Sequence, residues 1–418
     1  MHLGIAKIKI TPISKVRLSG YATREIVFDQ VLEDIYLRVH YFRDMEQNTD
    51  LIFIYADLLW WGSDFHDSMK VILENKFKVP FDNIIFVASH NHSGPATSDN
   101  FTKTLETFNE NYASYLKERV VLAVEVALGN LEEITGRLYR GFSDLNVYRR
   151  VNTKDGIKMM PNYSIEPERD LTIIEFLRTN QTRKGIMIHY PCHANISNEN
   201  SIQPDYPGIA LRLIDGDSEN TVSLFMQGCT ADLRPNVVLG NKFIPQGYEN
   251  VITFARYFVE DIKKTLGNEF VSLQFHLAIN TRELALKMNN LKTTKEIAEM
   301  RESGTVVEKE WAEKILDKGN RDFEILKMSK VNFAKEINFI TYNCELSQDY
   351  SLYAKSIDKS MLSVTYANGM IGYVCTEKQI NEGGYEPIDS GLYFALSGNY
   401  KPESEKIIHE RLIKMIRE

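Results

Sequence analysis

Asn83-Ile84-Ile85-Phe86-Val87-Ala88 runs directly into Ser89-His90-Asn91-His92-Ser93-Gly94-Pro95. The first six residues, apolar after Asn83, read as a strand buried on both faces. A strand sends residues i and i+2 to the same side, so His90 and His92, at its end, can face one point. Gly94-Pro95 then turns the chain and brings backbone close to whatever the imidazoles hold. Two imidazoles at a strand tip suit a metal or an acid–base site. A second histidine segment, His189-Tyr190-Pro191-Cys192-His193, ends another apolar run. Pro191 argues against a helix there, so the segment reads as a strand carrying His189, then a turn presenting His193. Together the two segments point to a metal-dependent hydrolase.

Outward from these segments, strand-like runs recur at 3–10, 34–43, 51–57, 136–141, 171–178, 184–190 and 221–226. More follow at 270–282, 337–342, 361–367 and 370–375. Helical periodicity appears at 65–77, 110–128, 247–265, 292–317, 349–357 and 402–417, with a turn opening a shorter helix at 208–215. Gly129 reads as the C-terminal cap of the 110–128 helix. Strands interleaved with helices predict an α/β fold, mixed β-sheets flanked by helices. The polar, charged stretch 286–335 reads as a helical insertion or hairpin, a lid or a dimer arm. The site motifs fall on both sides of it, the histidine segments before and the glycine-rich turns after. The expectation is therefore one large catalytic domain, 1–418, carrying that insertion, with a homo-oligomer as one use of the arm.

A chain of 418 residues, 43% hydrophobic and 25% charged, can bury a large core. The net charge of −8, with no Lys/Arg-rich stripe, argues against a nucleic-acid partner. No run of 18 apolar residues spans a membrane, and the N-terminus lacks a signal-peptide core, so a cytoplasmic location is expected. Cys192, Cys229, Cys344 and Cys375 form no C-x-x-C pair and read as free, buried thiols in a reducing compartment, with a catalytic thiol as the alternative.

Three further segments bear on chemistry. Gln227-Gly228-Cys229-Thr230-Ala231-Asp232-Leu233-Arg234-Pro235-Asn236 follows a strand and can offer backbone N–H groups to an anion. Ile340-Thr341-Tyr342-Asn343-Cys344-Glu345 is a strand ending at a carboxylate. Tyr366-Ala367-Asn368-Gly369 and Glu382-Gly383-Gly384-Tyr385-Glu386 imply tight turns.

In this order the segments resemble the neutral/alkaline (non-lysosomal) ceramidase family, specifically its N-terminal zinc amidase domain. The resemblance runs from Gly4-Ile5-Ala6-Lys7 and Leu18-Ser19-Gly20-Tyr21 to Gly384-Tyr385-Glu386. Ser89 to Pro95 is similar to the family's T-H-T-H-S-G-P. The resemblance implies a short, divergent bacterial-type member with a zinc ion (Zn2+) held by His90, His193, Glu345 and Tyr385. Cys344 stands where the family has glycine before the glutamate. The resemblance also places His92 beside the reacting water or tetrahedral intermediate, and Arg149, in Tyr148-Arg149-Arg150-Val151, near the substrate carbonyl.

One position departs from the family. Arg234 stands where the ceramidases carry a serine proposed to assist catalysis; it brings a permanent cation with five donors, which suits a carboxylate or phosphate on the substrate, or an internal acid such as Asp232. No C-terminal immunoglobulin-like domain and no secretion signal are expected. The implied activity is zinc-dependent hydrolysis of an amide, an N-acyl compound smaller or more polar than ceramide, with His92, Arg149 and Arg234 as catalytic or orienting groups. The alternatives are an esterase or lactonase on the same metal site, taking a small-molecule ester, and a non-catalytic metal-containing binding protein.

Overall fold

The chain is described here by a computed structural model covering residues 1–218 and 220–418. Its hydrogen-bonded strand path runs Leu224–Gln227, Arg183–Tyr190, Asp170–Arg178, Glu132–Phe142, His2–Lys9, Tyr36–Asp44, Thr49–Ala56, Ile84–Ala88. At the middle of this path only His2↔Glu133 and Leu3↔Glu132 pair, so it folds there into two walls. A third wall is the sheet of Phe275–Asn289, Phe323–Ala334, Ile337–Tyr342, Met361–Val364 and Asn399–Tyr400.

Aromatic rings join the three walls around one core. Phe42 of the first wall lies 5.2 Å from Phe176 of the second and 5.0 Å from Phe333 of the third. Phe53 meets Phe339 at 5.8 Å, and Phe176 meets Phe275 at 6.5 Å. Alternation decides which residues go there. In Thr49–Ala56, Phe53 and Tyr55 face this core, whereas Ile52 and Ile54 face a second apolar cluster outside. Both faces are buried because each wall carries helices. Ser63–Phe77 and Glu110–Gly129 cover the first; Gly4 allows the close approach, since a Cβ there would lie 1.8 Å from the Ala127 carbonyl oxygen. Asp205–Asp215 and Tyr248–Leu266 cover the second, with Phe258 5.2 Å from Tyr190. Gln348–Ile357 and Ser404–Arg417 cover the third through Tyr350, Ala354, Ile408 and Leu412. The α/β class read from the sequence is the class observed.

Most strand pairs are antiparallel. The exceptions are Thr49–Ala56 with Ile84–Ala88, Arg183–Tyr190 with Leu224–Gln227, Ile337–Tyr342 with Met361–Val364, and the short pair Glu345–Leu346 with Tyr373–Val374. Ligand crevices favour the carboxyl ends of parallel strands, and here His90, His193, the loop 228–236, Glu345 and Tyr366 all follow strands of these pairs.

Several expectations need correction in detail. The helix expected at 110–128 includes Gly129, and Asn130 is its C-cap. Asn130 does what glycine cannot: its side chain donates to Val126 and Ile5 carbonyls and accepts from the Ile5 amide, tying the helix end to the first strand. The hairpin Asn146–Thr153/Gly156–Asn162 was not among the expected strands, because Arg149, Arg150 and Lys158 break its apolar pattern; Asp155-Gly156 was its turn signal. The run at 270–282 divides into Phe270–Ser272 and Phe275–Asn289, and 370–375 contributes only Tyr373–Val374. In the loop 228–236, the amides of Gly228, Ala231 and Leu233 bond Tyr190, Leu346 and Thr230 carbonyls, so those three offer nothing to an anion.

Within 286–335 the helices are Thr294–Ser303 and Val306–Lys318, each opened by a capping box, Thr293 with Glu296 and Thr305 with Glu308. They connect two adjacent strands of the third wall, whose paired ends occupy the rest of the stretch. All four cysteines are free and buried. No helix among the described residues is long and apolar enough to cross a membrane.

Candidate metal centre

Three imidazoles converge where the walls meet. Nε2 of His90 lies 2.8 Å from Nε2 of His193 and 3.1 Å from Nε2 of His92. All three side chains are buried. Each turns Nδ1 toward a main-chain carbonyl: His90 toward Leu59 at 3.1 Å, His92 toward Gly20 at 3.1 Å, His193 toward Thr230 at 3.2 Å. A carbonyl only accepts, so each Nδ1 carries the proton and each Nε2 presents a lone pair to the common point. Burial, first of all, holds the three pKa values below the usual histidine range, that of His90 at about 3. Three lone pairs facing one another without a proton between them repel. A cation at that point removes the repulsion, so the donor set fits a metal ion.

Local backbone geometry serves this convergence. His90 has φ +63°, in the left-handed region, directly beyond the Ile84–Ala88 strand. Gly20 has φ +94°, and a Cβ there would lie 2.5 Å from His92 Nδ1, so only glycine lets its carbonyl reach that ring. Gln227 ties the two histidine segments together: its amide NH2 donates to the carbonyls of Ser89 and Cys192, each at 2.9 Å.

Glu345 lies on the His90 side of the cluster, with Oε2 3.6 Å from His90 Nε2, and the three imidazoles alone bring their ligand atoms within 4.8 Å of one another. Burial pushes its pKa up to about 7, opposed first by the Arg149 charge and then by hydrogen bonds from Tyr373 and Tyr366. Tyr366 donates to Glu345 at 3.2 Å and stacks on His90 with ring centroids 4.0 Å apart. Tyr385 follows Gly383-Gly384, both with positive φ, and its ring is 5.8 Å from Tyr373. Its hydroxyl pKa is raised by burial and then by the Glu345 carboxylate.

Arg149 is buried behind this group. Its Nε donates to Glu386 at 2.9 Å and an NH2 donates to Tyr373 at 3.2 Å. Burial alone would lower its pKa; Tyr373 and Glu386 more than offset this, and the charge is held firmly. Arg150 pairs with the other oxygen of Glu386. Arg234 is part-exposed, and its charge bears on His92. Asp232 is not its partner, being held by Ser347, the Gln348 amide and Gln379. His189 is elsewhere, bonded to the Ser363 carbonyl at 2.8 Å.

Thus the structure brings His90, His92, His193 and Glu345 together, with Tyr385 and Arg149 adjoining. Sequence reasoning missed Tyr366, Tyr373 and Glu386, although each lies within or beside a glycine-rich segment already singled out. It also missed Trp60, whose ring stacks on His90 at 6.0 Å. Trp60 Nε1 donates to buried Glu106 at 3.0 Å, and Ser98 donates to the other oxygen at 2.9 Å. Burial raises the Glu106 pKa from 4.5 to about 7 against those bonds. The folded form therefore binds a proton that the unfolded chain has released between those values. Stability through this group is fully present below about pH 4.5 and is lost as pH rises to about 7, by roughly 3 kcal/mol. Glu106→Gln is expected to flatten that part of the stability profile in urea titrations; an unchanged slope would exclude Glu106 as its source.

Buried imidazoles with free Nε2 lone pairs beside a carboxylate are a donor set that could hold a metal ion. Comparison with known proteins defines the class further. The family model for the N-terminal part of neutral/alkaline non-lysosomal ceramidase matches residues 1–247. The chain belongs to this family and is a hydrolase of the ceramidase type. Its fold is similar to that of the neutral ceramidase from Pseudomonas aeruginosa, with a TM-score of 0.77 at 16% identity, covering 99% of this chain and 73% of that one. It is likewise similar to a ceramidase complexed with C2, with a TM-score of 0.78 at 15% identity, covering 99% and 74%.

Proposed function

We propose that the protein hydrolyses an amide (N-acyl) bond at a zinc ion held by His90, His193, Glu345 and Tyr385. The observation that carries this reading is the convergence of histidine Nε2 lone pairs, each fixed by a carbonyl behind its ring. When bound, such an ion polarises the acyl carbonyl and lowers the pKa of water toward about 7. Leu59 and Thr230 hold His90 and His193 in the ligating tautomer. His92, anchored by Gly20, handles a proton or the developing oxyanion, a role worth roughly 10²–10⁴-fold. Arg149 opposes the burial penalty on Glu345, and with Arg234 orients the substrate.

We read 286–335 as an insertion within one catalytic domain, and the free cysteines support a reducing compartment such as the cytoplasm. The test is elemental analysis of the purified protein followed by matched panels of N-acyl amides and esters. About one zinc per chain with amide turnover is expected. Turnover of esters alone would replace the reading with an esterase, and metal without turnover would leave a binding protein.

A further inference from the structure

Beside the metal centre an open groove of about 420 Å³ is lined by Lys158, Met159, Met160, Arg234, Lys242 and Phe243. Half of these residues are cationic and none is acidic. Arg234 joins the groove to the centre. Its strand, Leu233–Pro235, pairs with Asn146–Thr153 so that Arg234 opposes Val147, two residues from Arg149. Its guanidinium lies over the Phe243 ring at 5.0 Å and meets the Met159 sulfur at 3.5 Å.

No carboxylate among the described residues pairs with Arg234. Asp232 is turned inward, and Glu386 is taken by Arg149 and Arg150. Burial lowers the Arg234 pKa, and the like charge of Arg149 contributes to the lowering. A half-buried cation without a counter-charge is stabilised when an anion joins it. A guanidinium also offers a planar fork that binds a carboxylate or phosphate bidentately.

We propose that Arg234, backed by Lys158 and Lys242, recognises an anionic head on the substrate, making the substrate class N-acyl amides whose amine portion ends in a carboxylate or a phosphate monoester. Met159, Met160 and Phe243 pack the apolar part next to that head. The proposal rests on the amide-hydrolase reading. Water supplies hydroxyl to the acyl carbon and a proton to the leaving nitrogen, so the products are a carboxylic acid and an anion-bearing amine.

The experiment compares kcat/KM for N-lauroylglycine against N-lauroylglycinamide, and for N-lauroyl-O-phosphoethanolamine against N-lauroylethanolamine. The wild type is expected to prefer the charged member of at least one pair, and the preferred pair identifies the head. Arg234→Ala is expected to reduce that preference roughly 10- to 100-fold, and Arg234→Lys, which keeps the charge but loses the fork, by less. Equal use of charged and neutral substrates by the wild type, or an unchanged ratio in folded Arg234→Ala and Arg234→Lys, overturns the proposal. A second readout needs no turnover. N-dodecylsulfonylglycine and its carboxamide, which the amide chemistry does not cleave, are titrated calorimetrically into wild type and variants. Tighter binding of the acid that depends on Arg234, without hydrolysis of any amide, would retain the anion site and reject the amidase reading. Equal binding of acid and carboxamide would reject the anion site itself.

Discussion

Replacing His90 with alanine is expected to strip the metal and lower amide hydrolysis roughly 10³-fold or more. The size follows from the several kcal/mol that a metal contributes to transition-state charge stabilisation, at about 1.4 kcal/mol per tenfold. His90 sits at the centre of the cluster: Nε2 of His193, Nε2 of His92 and Oε2 of Glu345 lie 2.8, 3.1 and 3.6 Å from its own Nε2. His90 also has positive φ, which alanine accepts less readily than asparagine, so His90→Asn is the companion variant that keeps the backbone. His193→Ala is expected to behave alike. His92→Ala separates the roles: retention of metal with a 10²–10⁴-fold slower reaction fits proton or oxyanion handling. Loss of metal would move His92 into the ligand set. Elemental analysis and steady-state rates on the same preparations decide, and full activity in His90→Asn would end the assignment.

Glu386→Ala is expected to cost about 3–5 kcal/mol of stability, the range for removing one partner of a buried ion pair. Here one carboxylate serves two guanidiniums, Arg149 and Arg150, each only 2–3% exposed. Its removal leaves both charges in the interior. Arg149 would still bond Tyr373, and Arg150 would still reach the Gly383 carbonyl, so collapse is not expected. Glu386→Gln keeps an acceptor without the charge and should fall between. Urea denaturation measures the difference; a loss under 1 kcal/mol would mean that water or a counter-ion already serves these arginines.

What was legible in the sequence was short-range. The all-apolar run before Ser89 and the spacing of His90 and His92 declare a strand tip without reference to the rest of the chain. Pro191 separates His193 from the strand by the same local logic. The three-wall arrangement was not legible, because it depends on a two-pair junction between His2–Leu3 and Glu132–Glu133 that no local pattern encodes. Tyr366 illustrates the limit at the site. Its place is decided by stacking on a ring from a distant segment and by bonding Glu345, and its own surroundings read only as a turn. The Asn146–Thr153 strand escaped for a different reason: it is buried by pairing its charges, not by lacking them.

Because the centre draws on strand ends from all three walls, it cannot exist on a partly made chain. His90 leaves the ribosome first, His193 next, and Glu345 255 residues after His90. At about 5–20 residues per second, roughly 10–50 s separate His90 from Glu345. During that interval the nascent chain carries imidazoles with no carboxylate partner, and any ion they meet is held by an incomplete set. With the ligand set proposed above, selection of the metal therefore waits until Glu345 has emerged and the third wall closes over the other two.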